Sequence, residues 1–277
     1  MTARSHVTLS ALLPTSPKSE TAFPSVIAHR GASAYKPDNT EAALRLAVDQ
    51  LADMVEIDVR RCRSGELVIS HDPDLAALTG IPARVRDLTL AELRALDAGF
   101  CFGAGAAFPE RGRGHRILTL PEALAASAPL GVQVEVKNSP DYADFEPGLE
   151  VVADTVAACA PHADRVLYSS FHHASAVQLA RASGLPAAWI VTWRTPFEEA
   201  VERVAGAGLA AVHPDRVSLS RPDARDVVTL AHDARLAVNV WTVDDPEEMR
   251  RLADAGVDGI ITNVPDVARS VFPRARP

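Results

Sequence analysis

From Val26 to Val271 the chain alternates short apolar runs with longer amphipathic ones, and few folds are compatible with that rhythm. Runs at 25–29, 53–60, 131–137, 165–170, 187–192, 209–213, 236–242 and 258–262 have the length and apolar content of buried strands. Amphipathic stretches at 40–51, 146–159, 173–183, 196–206, 221–233, 245–255 and 265–271 carry helical periodicity. Several have start signals: Asn39-Thr40-Glu41 can cap the first, and Asp245-Pro246-Glu247-Glu248 opens another with acids and a proline. Gly184 and Gly256 stand where helices end. Eight strands with intervening helices predict a parallel sheet closed as a distorted (β/α)8 TIM barrel. With 277 residues, 47% of them hydrophobic, the chain can fill one such core, expected over 25–272 as a single domain.

One apolar run is left out of that count. Leu67-Val68-Ile69-Ser70-His71-Asp72 is separated from the second strand only by Arg63-Ser64-Gly65-Glu66. Parallel strands need a crossover of about a dozen residues, so 55–62 and 67–72 are expected to form an antiparallel hairpin. A four-residue turn at 63–66 would set His71 opposite Asp58, and Ser70 opposite Val59. The segment 73–128 then forms an excursion before the third barrel strand. It holds a short helix capped by Thr89, a glycine-rich loop at 99–116, and a further helix opening at Thr119. The glycine-rich loop follows no strand and lacks a phosphate-cradling motif, which argues against a nucleotide site there.

Charged groups at the ends of these strands carry the chemistry. His29 ends the first strand, Glu56 and Asp58 share one face of the second, and Glu135 lies on the third. Burying three unpaired carboxylates on neighbouring strands is too costly unless a cation joins them. Oxygen-only donors of this kind suit Mg²⁺ or Ca²⁺. His29 and His71 offer imidazoles that titrate near neutral pH, as ligands or as acid–base groups. Arg30 and Lys137 are the natural grips for an anion such as a phosphate ester. His213, and less so His172 and His173, are further candidates for the pocket.

The formal charge of −8, with no Lys/Arg run, argues against a nucleic-acid surface and against docking on anionic membranes. Cys62, Cys101 and Cys159 form neither a disulfide framework nor a zinc motif. Residues 1–24 read as a flexible N-terminal tail, and their apolar run Ala11-Leu12-Leu13-Pro14 is too short for a signal segment. No later run is long enough to span a bilayer, so a cytoplasmic enzyme is expected.

The run from His29-Arg30-Gly31 to Pro37-Asp38-Asn39-Thr40-Glu41-Ala42-Ala43, with Glu56-Ile57-Asp58-Val59 and His71-Asp72, resembles the glycerophosphodiester phosphodiesterase family. The resemblance continues through Glu135-Val136-Lys137, Ser170-Phe171, Val240-Trp241-Thr242-Val243 and Gly256-Val257-Asp258-Gly259-Ile260-Ile261-Thr262-Asn263, covering roughly residues 26–270 in order. It implies hydrolysis of a small-molecule glycerophosphodiester to glycerol 3-phosphate and an alcohol. It further implies that His29 and His71 are an acid–base pair and that Glu56, Asp58 and Glu135 hold one divalent cation, Mg²⁺ or Ca²⁺. Arg30 and Lys137 would contact phosphate, and Phe171 and Trp241 would stand at the pocket mouth. The pattern departs from the family at Asp38, Ala52, Cys62, Ser64 and Asn263, the last replacing a common Asp. It is also similar to lysophospholipase D and sphingomyelinase D enzymes, but an aromatic content of 5% favours a water-soluble substrate. A non-catalytic sugar-phosphate binding barrel is the rival of another class, and the intact histidines and carboxylates speak against it.

Overall fold

A computed structural model describes residues 23–103 and 107–273, so most of the expected tail at 1–24 lies outside the described residues. The parallel strands are β1 (Ser25–His29), β2 (Met54–Arg61), β4 (Gly131–Val136), β5 (Val166–Ser170), β6 (Ala187–Val191), β7 (Ala211–Pro214), β8 (Ala237–Val240) and β9 (Gly259–Thr262). β3 (Leu67–Ile69) is antiparallel to β2. The order β1-β9-β8-β7-β6-β5-β4-β2, closed by the β1–β2 pairing, is a complete eight-stranded parallel barrel. Strand alternation divides the core in two. Val55, Ile57, Val59, Val132 and Val134 face the helical layer, whereas Ile27, Met54, Leu167 and Ile261 pack together as a separate cluster. Small residues Ala188, Ala211 and Ala237 fill another patch across β6, β7 and β8.

Local chemistry explains most helix starts. Thr40 accepts from Ala43 N ahead of Glu41–Asp49, and Asp245 accepts from both Glu247 N and Glu248 N ahead of Pro246–Ala255. Thr89 and Thr119 each form a reciprocal capping box, with Glu92 and Glu122 respectively. The helix expected from residue 146 begins at Glu150 instead. Pro147-Gly148 and the left-handed Leu149 break the backbone there, and Glu146 caps from outside by accepting from Val151 N. No helix among the described residues is long and apolar enough to cross a membrane.

The hairpin exists, but its register is one residue away from expectation. Val59 faces Ile69, Arg60 faces Val68 and Arg61 faces Leu67. The turn therefore has five residues, 62–66, closed by Cys62 N donating to Glu66 O at 3.0 Å. Gly65, at φ +100°, absorbs the extra residue in a conformation that side chains disfavour. A one-residue slip exchanges the faces of a strand. Asp58 O thus accepts from Ser70 N at 2.9 Å, and His71 lies past the end of β3 rather than opposite Asp58.

Candidate active site

The C-terminal ends of the strands surround a cavity of about 430 Å³, lined among others by His29, Arg30, Glu56, His71, Glu135, Lys137, Phe171 and Trp241. This is the face on which barrels of this class build their sites, because strand ends and their loops converge there. Eight of the nine residues expected to serve in catalysis, metal binding or substrate contact line it. The ninth, Asp58, is buried beside Glu56 and Glu135, and one ligating atom of each of these three carboxylates lies within 4.8 Å of the others. His213 lines the same cavity, but His172 and His173 do not. Those two rings pack edge-on against Phe145 and Trp189 respectively.

The backbone around His29-Arg30-Gly31 is shaped for this site. Arg30 adopts φ 57°, uncommon for a side-chain-bearing residue, and thereby turns its amide to donate to Glu56 Oε2 at 3.1 Å. Gly31 lets the helix Glu41–Asp49 approach: a Cβ there would lie 2.5 Å from Ala43 C.

The carboxylates are less alone than their sequence neighbours suggest. Asp58 pairs with Lys137 Nζ at 2.9 Å and Arg30 Nε at 3.3 Å, and accepts from Asn39 Nδ2 at 2.8 Å. Burial pushes its pKa up, but the charges of Lys137 and Arg30 outweigh it and hold Asp58 well below the usual range. Lys137 also pairs with Glu135 at 2.5 Å. Glu56 is the exception. Burial, reinforced by Asp58 and Glu135, pushes its pKa well above the usual value, and its Oε1 is buried with no hydrogen-bond partner among the described residues. An orphaned carboxylate oxygen facing two other carboxylates is what a hard divalent cation would satisfy, so the donor set fits one.

Each histidine is held by groups that the sequence reading missed. The Asn263 amide has one consistent orientation: its Nδ2 donates to Asp244 Oδ2 at 2.7 Å and its Oδ1 accepts from Ser33 Oγ at 2.8 Å. That oxygen lies 2.7 Å from His29 Nδ1, so Nδ1 carries the proton and Nε2 keeps its lone pair. Burial, together with the Arg30 charge, lowers His29 to about 4, leaving it neutral at pH 7. His71 is held through its backbone: Arg60, fully buried, donates to His71 O from Nε at 3.0 Å and Nη2 at 2.7 Å, and pairs with Asp144 at 2.6 Å. The His71 Nδ1 lies 2.8 Å from Asp72 Oδ1. Burial lowers its pKa, against the opposing pull of Asp58. Alternation from Glu56 and Asp58 places Arg60 on their face, a signal that was available. Phe171 and Trp241 meet edge to face, with centroids 5.4 Å apart, and so form one aromatic wall.

Burial also pushes His213 down to about 3. An unfolded chain protonates this residue near pH 6.5. Between those values the unfolded state binds a proton that the folded state refuses, so the contribution to stability is present above about pH 6.5 and is lost as pH falls. Relative to a His213→Phe variant, the wild-type unfolding free energy is expected to drop by about 1.4 kcal/mol per pH unit below pH 6. Parallel denaturation curves for the two proteins across that range would refute it.

Comparison with known proteins agrees with this geometry. The profile of the "Glycerophosphoryl diester phosphodiesterase family" matches residues 29–267. A glycerophosphodiester phosphodiesterase of Caldanaerobacter subterraneus subsp. tengcongensis is 32% identical over 254 residues, 87% of this chain and 94% of that protein. A phosphodiesterase of Oleispira antarctica, solved with the product sn-glycerol-3-phosphate, superposes with a TM-score of 0.75 at 27% identity, covering 91% of this chain and 98% of its own. A structure from Silicibacter pomeroyi gives a TM-score of 0.77 at 26% identity, covering 90% of this chain and 93% of its own. The chain is a phosphoric diester hydrolase and belongs to the glycerophosphoryl diester phosphodiesterase family.

Proposed function

We propose that this enzyme hydrolyses a glycerophosphodiester to glycerol 3-phosphate and an alcohol, using one divalent cation, Mg²⁺ or Ca²⁺, with His29 as general base and His71 as general acid. The observation that carries this reading is the convergence of Glu56, Glu135 and both histidines on one cavity, with Asp58 buried beside the two glutamates. Glu56, Asp58 and Glu135 would hold the cation, which when bound supplies Lewis-acid polarisation of the phosphoryl group. Arg30 and Lys137 stabilise the charge that develops on the phosphoryl oxygens. His29, with its proton on Nδ1, offers Nε2 to take a proton from the attacking hydroxyl or water. His71, with Nδ1 beside the Asp72 carboxylate, can carry a second proton on Nε2 and give it to the leaving alkoxide. Phe171 and Trp241 shape one side of the entry. The product bound to the Oleispira antarctica relative is the one this reading requires.

The test is product identity. Purified protein given glycerophosphocholine and Mg²⁺ or Ca²⁺ is expected to release choline and glycerol 3-phosphate in equal amounts. Glycerol with phosphocholine, the products of cutting the other ester bond, would contradict the proposal.

A further inference from the structure

We propose that Gln133 and His213 form a subsite, at the floor of the catalytic cavity, for a neutral hydroxyl of the substrate's polyol. This rests on the glycerophosphodiester reading and goes beyond it by saying how the glycerol end is recognised. Both residues line the cavity, and both are fully buried. Gln133 lies two residues before Glu135 on β4, on the same face and therefore deeper in the barrel. It donates from Nε2 to Ser169 Oγ at 3.2 Å, and its Oε1 has no partner among the described residues. His213 lies across the barrel on β7. Its Nε2 accepts from Asn239 Nδ2 at 3.0 Å, so the ring proton sits on Nδ1, which likewise has no partner among the described residues.

The amide nitrogen of Asn239 faces His213, and its oxygen lies against Gly259, where only a glycine leaves it room. A Cβ at that position would fall 2.4 Å from Asn239 Oδ1. The cavity floor thus presents one buried acceptor and one buried donor, and buried polar groups are nearly always hydrogen-bonded. A hydroxyl satisfies both at once, donating to Gln133 Oε1 and accepting from His213 Nδ1–H. A phosphate oxygen without a proton cannot donate to Gln133, and an ammonium cannot accept from His213. Burial keeps His213 uncharged at neutral pH, so the pair reads hydrogen-bonding pattern rather than charge. Ile190 and Ile261 line the same cavity and offer the hydroxyl no competing side-chain partner. Phosphate would then sit at the carboxylate and cation level above, with the polyol directed downward.

The experiment is calorimetric titration of the metal-loaded enzyme with glycerol 3-phosphate and with propyl phosphate, which has no hydroxyl on its carbon chain. Wild type is expected to prefer glycerol 3-phosphate by roughly 10²-fold, because the analogue leaves both floor groups unpaired. In Gln133→Met and His213→Phe variants that ratio is expected to fall towards 1. The ratio cancels any general loss of binding competence, and the wild-type ratio needs no variant at all. Equal binding of the two ligands by wild type, or an unaltered ratio in both variants, would overturn the subsite and leave an ordered water as the occupant. Failure to bind either phosphate would instead defeat the glycerophosphodiester reading, and this inference with it.

Discussion

His71→Ala is expected to cleave glycerophosphocholine roughly 10²–10⁴-fold more slowly than wild type, the usual worth of a positioned proton transfer. The same variant is expected to lose far less on bis(p-nitrophenyl) phosphate, because a nitrophenolate leaves without being protonated. His29→Ala should lose activity on both substrates, since the attacking group needs its proton removed whatever departs. This contrast follows from the partners of the two rings. Asn263 presents a neutral oxygen to His29 Nδ1 at 2.7 Å, which leaves Nε2 unprotonated and free to accept a proton. Asp72 presents a carboxylate to His71 Nδ1 at 2.8 Å, which holds a proton on Nδ1 and works against the lowering of the ring's pKa by burial. Metal affinity should change little in either variant. Activity of both restored by excess metal would show that the histidines are ligands and that the proton-transfer roles are wrong.

The barrel was legible because its strands are apolar enough to stand out, and because alternation places Glu56 and Asp58 on one face of β2. The closeness of Glu135 to that pair followed from the strand order. The hairpin register was not legible, since the apolar pattern does not report the positive φ of Gly65 that accommodates a fifth turn residue. The partners of the charged groups were less visible still. Asp58 is paired with Lys137 and Arg30 and accepts a hydrogen bond from Asn39, groups that arrive from two other strand ends and a loop. Asn263 reaches His29 across 234 residues, and the contact exists only because β1 closes the ring against β9. No local pattern reports such a contact. Gln133 was within reach of the alternation argument, because it shares a face with Glu135. What made it conspicuous, an acceptor without a donor, is a property of packing alone.

Glu56→Gln carries the other large effect. The exchange keeps the shape of the side chain and an oxygen for Arg30 N, but removes the charge that a divalent cation needs. In the metal-free protein the Glu56 carboxylate is disfavoured by burial and by its two acidic neighbours, so its ionisation near pH 7 works against the fold. The metal-free variant is therefore expected to unfold at the same temperature as wild type or higher. With Mg²⁺ or Ca²⁺ at 100 times its dissociation constant, wild type should gain about 2.7 kcal/mol of stability, and the variant should gain none at that concentration. The decisive measurement follows glycerol 3-phosphate release and thermal unfolding together while chelator-stripped protein is titrated with each ion. The account predicts that wild type regains activity and stability along the same saturation curve, and that Glu56→Gln regains neither at the concentrations that saturate wild type. Full activity of the stripped wild type in excess EDTA, or of Glu56→Gln in the same buffer, would contradict the carboxylate cluster as the seat of catalysis.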